Sequence, residues 1–271
     1  VPPATQLCAL RSRILAWYAA NARDLPWRHT TDPYAVLVSE VMLQQTQVAR
    51  VLQKYEPFLA RFPTLEALAE ASVAEVLAEW QGLGHNTRAV RLRDCARAAT
   101  TALASRQPAR LPTTLDDLRR LPGVGPYTAR AILIFAHNAD LAAVDANVRR
   151  VLTHELGLPQ NLPPPALQAI ADAALPRGRA RDWHNALMDY GSLVLTTRVT
   201  GIAPLTRQGP FAGSRRMYRA KLVRLLLEQR PRPLADLSCA LRLPAPELIA
   251  IVADLERDNL IQRRGDTLDL L

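Results

Sequence analysis

The sequence predicts a mostly α-helical chain, with two helical lobes followed by a small winged-helix-like domain. Three observations carry that expectation. Apolar residues recur at helical spacing up to about residue 195, and no convincing alternating strand occurs before residue 260. Composition changes between about 196 and 213, where Gly, Pro and Thr crowd together in "TTRVTGIAPLTRQGPFAG" and the helical period is lost. Three further helical segments and a short hairpin then follow in the order of a winged helix.

Each element has a local reason. Apolar periodicity predicts helices near 7–20, 47–61, 87–104, 126–137, 146–156, 165–174 and 181–195. In "DPY", Asp32 is placed as N-cap and Pro33 as the first helical residue, starting a helix that carries Glu40. "SVAE", Ser72 to Glu75, is a capping box, and "TLDD" starts a helix at Thr114 that runs to about Arg120. The last domain is expected to hold helices at 214–229, 234–241 and 245–258, then a hairpin turning at Gly265–Asp266.

Composition narrows the class. Lysine and arginine total 34 against 25 aspartates and glutamates, a net charge of +9 with a pI near 10.2, so nucleic acid is the first partner to consider. Only Lys54 and Lys221 are lysines. Cys8, Cys95 and Cys239 stand alone without a CxxC pair, which indicates neither a disulfide framework nor a thiolate metal site. "VPPATQLCAL" does not read as a signal peptide, and no apolar run is long enough to span a bilayer. A soluble monomer of a reducing compartment, cytoplasmic and associated with a bacterial nucleoid, is expected, with no membrane partner.

Two stretches carry chemistry. In "VLVSEVMLQQTQV", Glu40 sits in an apolar run, and Glu40, Gln44 and Gln47 fall at i, i+4 and i+7 on one stripe of a 3.6-period helix. The stripe is either an ordinary polar face or the lining of a pocket in which Glu40 is a general acid of raised pKa. "LPGVGPYTARAIL" places Gly123 and Gly125 between two helices, with Pro126 suited to the first position of the second. This helix-hairpin-helix pattern exposes backbone N–H groups to a DNA phosphate, or is simply an αα-turn. In "AVDANVRRVL", Asp145 directly precedes a helix, as an N-cap or as a carboxylate kept ionised by the helix dipole. Two carboxyl groups with pKa values pushed apart suit cleavage of a glycosidic bond.

From about Leu25 to Gly191 the chain resembles the helix-hairpin-helix (HhH-GPD) DNA glycosylases, most closely the MutY-type adenine DNA glycosylases. The matching blocks are "LPWR", "DPYAVLVSEVMLQQTQV", "RFPTLEALAEAS", "GLG" followed by "TRAVRL", "LPGVGPYTARAIL", "VDANVRRVL" and "NALMDYGSLV". The resemblance implies a two-lobed glycosylase core: residues 1–25 plus 137–213 as one lobe and 26–136 as a six-helix lobe with the hairpin, ahead of the winged-helix-like domain that the element order gives for 214–271. It implies that Glu40 protonates a flipped adenine and Asp145 stabilises the oxocarbenium ion. Tyr127 and Asn147 would assist around the sugar. Gln45 would lie near the space left in the duplex, with His85, Asn86, Gly123, Val124, Gly125 and Thr128 as further DNA contacts. Tyr127 occupies the region where bifunctional relatives carry a Schiff-base lysine, so efficient abasic-site lyase activity is not expected.

Three departures matter. The family's [4Fe–4S] cysteine spacing falls here on Leu195, Ile202, Leu205 and Phe211, so no cluster is expected and a hydrophobic plug of these four residues is. His85 and Asn86 stand where the family commonly has tyrosines. The winged-helix-like domain replaces a Nudix-like one. Its third helix, with Glu247, Asp254, Glu256 and Asp258, is poorly suited to a major groove. Its first helix, with Arg215, Arg216, Arg219, Lys221 and Arg224, is either a DNA-facing surface, a solvated face or a docking face. The expected function is a monofunctional glycosylase removing adenine opposite guanine or 8-oxoguanine in base excision repair. The alternatives are a thymine/uracil mismatch glycosylase of the same fold and a non-catalytic DNA-binding protein.

Overall fold

The computed structural model describes residues 1–102, 109–205 and 209–271. In chain order the helices are α1 (Ala4–Asn21), α2 (Pro33–Leu43), α3 (Val48–Leu52), α4 (Tyr55–Arg61), α5 (Leu65–Glu70), α6 (Val73–Trp80), α7 (Thr87–Ala102) and α8 (Leu115–Arg119). They continue with α9 (Pro126–His137), α10 (Ala146–Glu155), α11 (Pro164–Ala174), α12 (Ala180–Leu193), α13 (Thr197–Thr200) and α14 (Arg215–Glu228). The chain closes with β1 (Arg232–Pro233), α15 (Leu234–Leu241), α16 (Ala245–Arg257), β2 (Ile261–Arg264) and β3 (Thr267–Leu270).

The start signals act as their residue types require. Asp32 accepts from the N–H groups of Tyr34 and Ala35 at 3.1 and 3.2 Å. Ser72 and Glu75 close their capping box, and Thr114 accepts from the Asp117 N–H. Four expectations need correction. The helix expected over 47–61 is broken into α3 and α4 at Gln53–Lys54. Thr64 caps a helix, α5, that was not anticipated. The 196–213 stretch contains the single turn α13, capped by Thr196 and ended by Gly201 in the left-handed region. A two-residue strand, β1, precedes residue 260, because Arg232 and Pro233 add to the outer side of β3 to give the order β1-β3-β2, all antiparallel. Residues 103–104 of the helix expected over 87–104 lie outside the described residues.

The chain forms two compact units. The first comprises 1–40, 113–120 and 124–207; the second comprises 41–112, 121–123 and 208–271. These divisions fall at other positions than the expected lobe boundaries at 25/26, 136/137 and 213/214.

In the first unit, α12 packs against α1, α9 and α10, and α1 also meets α11. Leu7, Leu10, Ile14, Ile134, Val151 and Trp183 are central to its core. The fully buried Asp189 of α12 ties down the segment ahead of α2 through the guanidinium groups of Arg23 and Arg28 at 2.7 Å each. In the second unit, α5 and α6 pack against α7, with Phe58, Phe62 and Trp80 in edge-to-face contact. Helices α14, α15 and α16 and the sheet form a winged helix, as the element order predicts. It is built onto α6: α14 packs against that helix, and the Ala74 N–H donates to the Leu271 carbonyl at 3.0 Å.

Candidate active site

The polar stripe through Glu40, Gln44 and Gln47 does not exist, because α2 stops at Leu43 and the chain turns at Gln45 in the left-handed region, φ 55°. Glu40 is therefore not on a solvated face. It is 7 % exposed, on the α2 turn that closes the first segment of the first unit. Removal from water pushes its pKa up to about 7; the nearby Asp145 charge adds to the rise, and a hydrogen bond from Tyr127 opposes it. That Tyr127 hydroxyl comes from the second residue of α9, and burial beside the two carboxyl groups holds its own pKa well above the ordinary tyrosine range.

Asp145 is the N-cap of α10. It accepts from the Val148 N–H at 2.6 Å and from Asn147 Nδ2 at 2.9 Å. The helix dipole is expected to hold Asp145 ionised, with its pKa pushed apart from that of Glu40. Burial raises Asp145 as well, while the backbone N–H groups of Val148 and Asn147, the Asn147 side chain and the Arg150 charge oppose the rise. The contrast between the carboxyl groups lies in their partners. Glu40 has one hydroxyl donor, whereas the Asp145 anion has two backbone amides, a side-chain amide and a nearby guanidinium.

Two residues that the sequence reading missed hold this arrangement. Arg150 donates to Asn147 Oδ1 at 2.7 Å and to the Gly191 carbonyl at 2.6 Å, and also to the Leu195 carbonyl. Gly191 lets α12 approach α10 this closely: a Cβ there would stand 2.9 Å from Asn147 Cβ and 3.1 Å from its carbonyl oxygen. The spacing of Asn147 and Arg150, one helical turn apart, is the signal for the first. Nothing in one sequence marks the second.

The structure thus brings Glu40, Tyr127, Asp145 and Asn147 together in the first unit. Val124 and Thr128 have buried side chains, 6 % and 3 % exposed, so only their backbone is available to a partner. In the hairpin turn Gly123 adopts φ 76°, and a Cβ there would meet Arg91 Cβ at 2.9 Å. Gly125, the N-cap of α9, has ordinary φ and open space beside it. Gln45 and His85 are exposed and Asn86 half-buried, all in the second unit.

The positions of the family's cluster cysteines carry no iron ligand, and no group of His, Cys, Asp or Glu among the described residues could hold a metal ion. The four-residue plug expected there is corrected to two. Leu195 and Ile202 are 5 % and 4 % exposed, whereas Leu205 and Phe211 are 76 % and 57 % exposed. Leu195 joins the core of the first unit and is bonded through its backbone to Tyr190 and Arg150, which explains its burial. Of the three readings left open for the basic face of α14, the structure narrows the charge available to any of them. Arg215 and Arg219 are paired with Asp254 of α16 and with Asp258, its C-cap, and Arg224 lies near Glu228 of α14 itself, so the third helix neutralises two of the five basic residues.

Residues 38–175 match the model of the HhH-GPD superfamily of base excision DNA repair proteins. An adenine DNA glycosylase of Mycolicibacterium smegmatis is 38 % identical over 234 residues, covering 79 % of this chain and 78 % of the relative. One from Mycobacterium tuberculosis is 42 % identical over 201 residues, covering 72 % of this chain and 65 % of its own length. Among solved structures, a thermostable thymine-DNA glycosylase superposes with a TM-score of 0.65 at 30 % identity, covering 72 % of this chain and 89 % of that one.

Proposed function

The chain belongs to the HhH-GPD superfamily of base excision DNA repair proteins, and from that premise we propose that it is a DNA N-glycosylase that removes adenine mispaired with guanine or 8-oxoguanine. The observation that carries this reading is a buried carboxyl, Glu40, with a pKa of about 7 and a hydrogen bond from Tyr127, near a second carboxyl, Asp145, capping a helix. Near neutral pH a large share of Glu40 is protonated and able to give that proton to a nitrogen of the extruded adenine. The bond from the sugar C1′ to the base then breaks, its electron pair leaving with the base. Asp145 faces the cationic sugar as an anion, and Asn147 orients it. Water adds at C1′, and the proton it releases restores the Glu40 acid. The products are free adenine and an abasic site in double-stranded DNA.

In this reading the enzyme is monofunctional and acts as a monomer. The first unit contains no lysine, so none of its own side chains offers an amine for a Schiff base. It also works without an iron–sulfur cluster, because Leu195, Ile202, Leu205 and Phe211 have no atoms that ligate iron. The adenine preference is supported by the two mycobacterial relatives. The thymine-DNA glycosylase structure at 30 % identity favours a second reading, thymine or uracil opposite guanine, on the same residues.

The test is single-turnover base excision on duplexes with A, T or U opposite G and 8-oxoguanine, using wild type, Glu40→Gln and Asp145→Asn. Adenine release that both variants lose supports the proposal. Release of thymine or uracil instead supports the second reading. No release of any base, with duplex binding intact, rejects both.

A further inference from the structure

We propose that Arg88 is a positioning residue that makes the Gln45 turn and the His85 turn one rigid probe of the duplex, an inference that rests on the glycosylase reading above. Arg88 lies in the first turn of α7 and is 9 % exposed. One terminal nitrogen donates to the carbonyls of Val41, Met42 and Gln44 at 2.7, 3.0 and 2.6 Å. The other donates to the carbonyls of Leu83 and Gly84, each at 3.1 Å, and to the Thr46 hydroxyl at 2.9 Å. One guanidinium therefore gathers the carbonyl end of α2, whose last C=O groups lack helical partners, and the turn that follows α6.

Other contacts reinforce the join. The Thr46 hydroxyl lies 3.3 Å from the Leu83 carbonyl. The Trp80 ring centroid lies 5.4 Å from the guanidinium carbon, and its indole N–H donates to the Gly84 carbonyl at 3.0 Å. Immediately beyond each set of carbonyls stands an exposed non-glycine residue in the left-handed region: Gln45 at φ 55° and His85 at φ 48°. Residues with a Cβ avoid that region unless their surroundings over-determine it. Arg88 is the element common to both turns. Its planar five-donor fork suits carbonyls arriving from two directions, which a lysine ammonium on a flexible stem would not match. Two turns whose backbones are held together are preorganised to present Gln45 and His85 to the gap left by an extruded base, so less ordering is needed when the duplex opens.

The experiment uses the full chain with Arg88→Lys, and with Thr46→Val as a milder variant should the first fail to fold. Amide hydrogen exchange is measured over residues 43–47, 82–87 and the rest of α7. Arg88→Lys is expected to speed exchange in both turns together, at least tenfold, with α7 beyond Val90 still protected. Thr46→Val should give a smaller change in the same two segments. Loosening of one turn alone, of neither, or of α7 to the same extent overturns the proposal. A second readout uses the Glu40→Gln background and a duplex with 2-aminopurine at the target position, where fluorescence reports unstacking. Arg88→Lys should lose most of the enhancement while affinity for a fully paired duplex changes less than twofold; equal loss of both overturns it. If the background protein itself gives no enhancement and wild type excises no adenine, the glycosylase reading fails, and the exchange data still decide whether Arg88 couples the turns.

Discussion

The Tyr127 hydroxyl donates to the Glu40 carboxylate from the first turn of α9, joining the helix that follows the hairpin to the end of α2. That bond lowers the Glu40 pKa while burial raises it to about 7. Removing the hydroxyl therefore moves the acid limb in a definite direction. Tyr127→Phe should shift the alkaline fall of single-turnover excision to higher pH, and a shift to lower pH would contradict the assignment.

Glu40 also costs stability. A carboxyl whose folded pKa lies above its ordinary 4.5 loses folded stability as pH rises from 4.5 through about 7. The cost is absent below that window and complete above it, at about 3 kcal/mol for a rise of this size. Glu40→Gln should be inactive yet more stable than wild type at pH 8, and indistinguishable from it near pH 4. Chemical denaturation at the two pH values checks this.

The hairpin glycines should separate. Gly123→Ala meets both a left-handed φ and the Arg91 side chain, and should cost roughly 1–3 kcal/mol of stability. Gly125→Ala has room, so its melting temperature should stay near wild type while duplex affinity drops, if the open space beside it receives a phosphate. Thermal melts paired with binding isotherms distinguish the two.

His184 predicts acid sensitivity. It is 1 % exposed; its Nδ1 N–H donates to the Ala180 carbonyl at 2.7 Å and its Nε2 accepts from the Ala143 N–H at 2.9 Å, two residues before Asp145. Burial lowers its pKa below the ordinary 6.5, despite opposing contributions from Ala180 and Asp172. A histidine of lowered folded pKa stabilises fully above 6.5, and that stability is lost as pH falls toward its folded pKa. His184→Gln should reduce the slope of stability against pH on the acid side by up to one proton.

The loop after α12 should respond unequally to serine. Leu195→Ser or Ile202→Ser should each cost about 2–4 kcal/mol, whereas Leu205→Ser and Phe211→Ser should be near neutral. Equal effects from all four would restore the larger plug.

Much of this was legible from the chain alone, for physical reasons that differ by residue. Asp32, Ser72 and Thr114 act over three or four positions, so their helix starts could be read directly. The end of α2 could not, because it depends on Arg88 reaching back across more than forty positions to its carbonyls. The four site residues were found through the blocks they belong to. Gly191, which lets α12 approach α10, was missed because close approach of two helices leaves no periodic trace, whereas Arg150 did have a signal in its spacing from Asn147. The partners of Arg215 and Arg219 were hidden for a related reason: a run of arginines looks the same whether it faces water or the carboxylates of Asp254 and Asp258.

The bond between Ala74 and Leu271 has a consequence for synthesis on the ribosome. Every segment of the first unit has been translated by residue 207, whereas the second draws on residues 41–112 and 208–271. Its early half must wait, with the α6 surface uncovered, while the intervening stretch is made. A ribosome stalled beyond residue 207 would hold a chain in which every segment of the first unit is made while the second is unfinished, the state most open to chaperones and to aggregation.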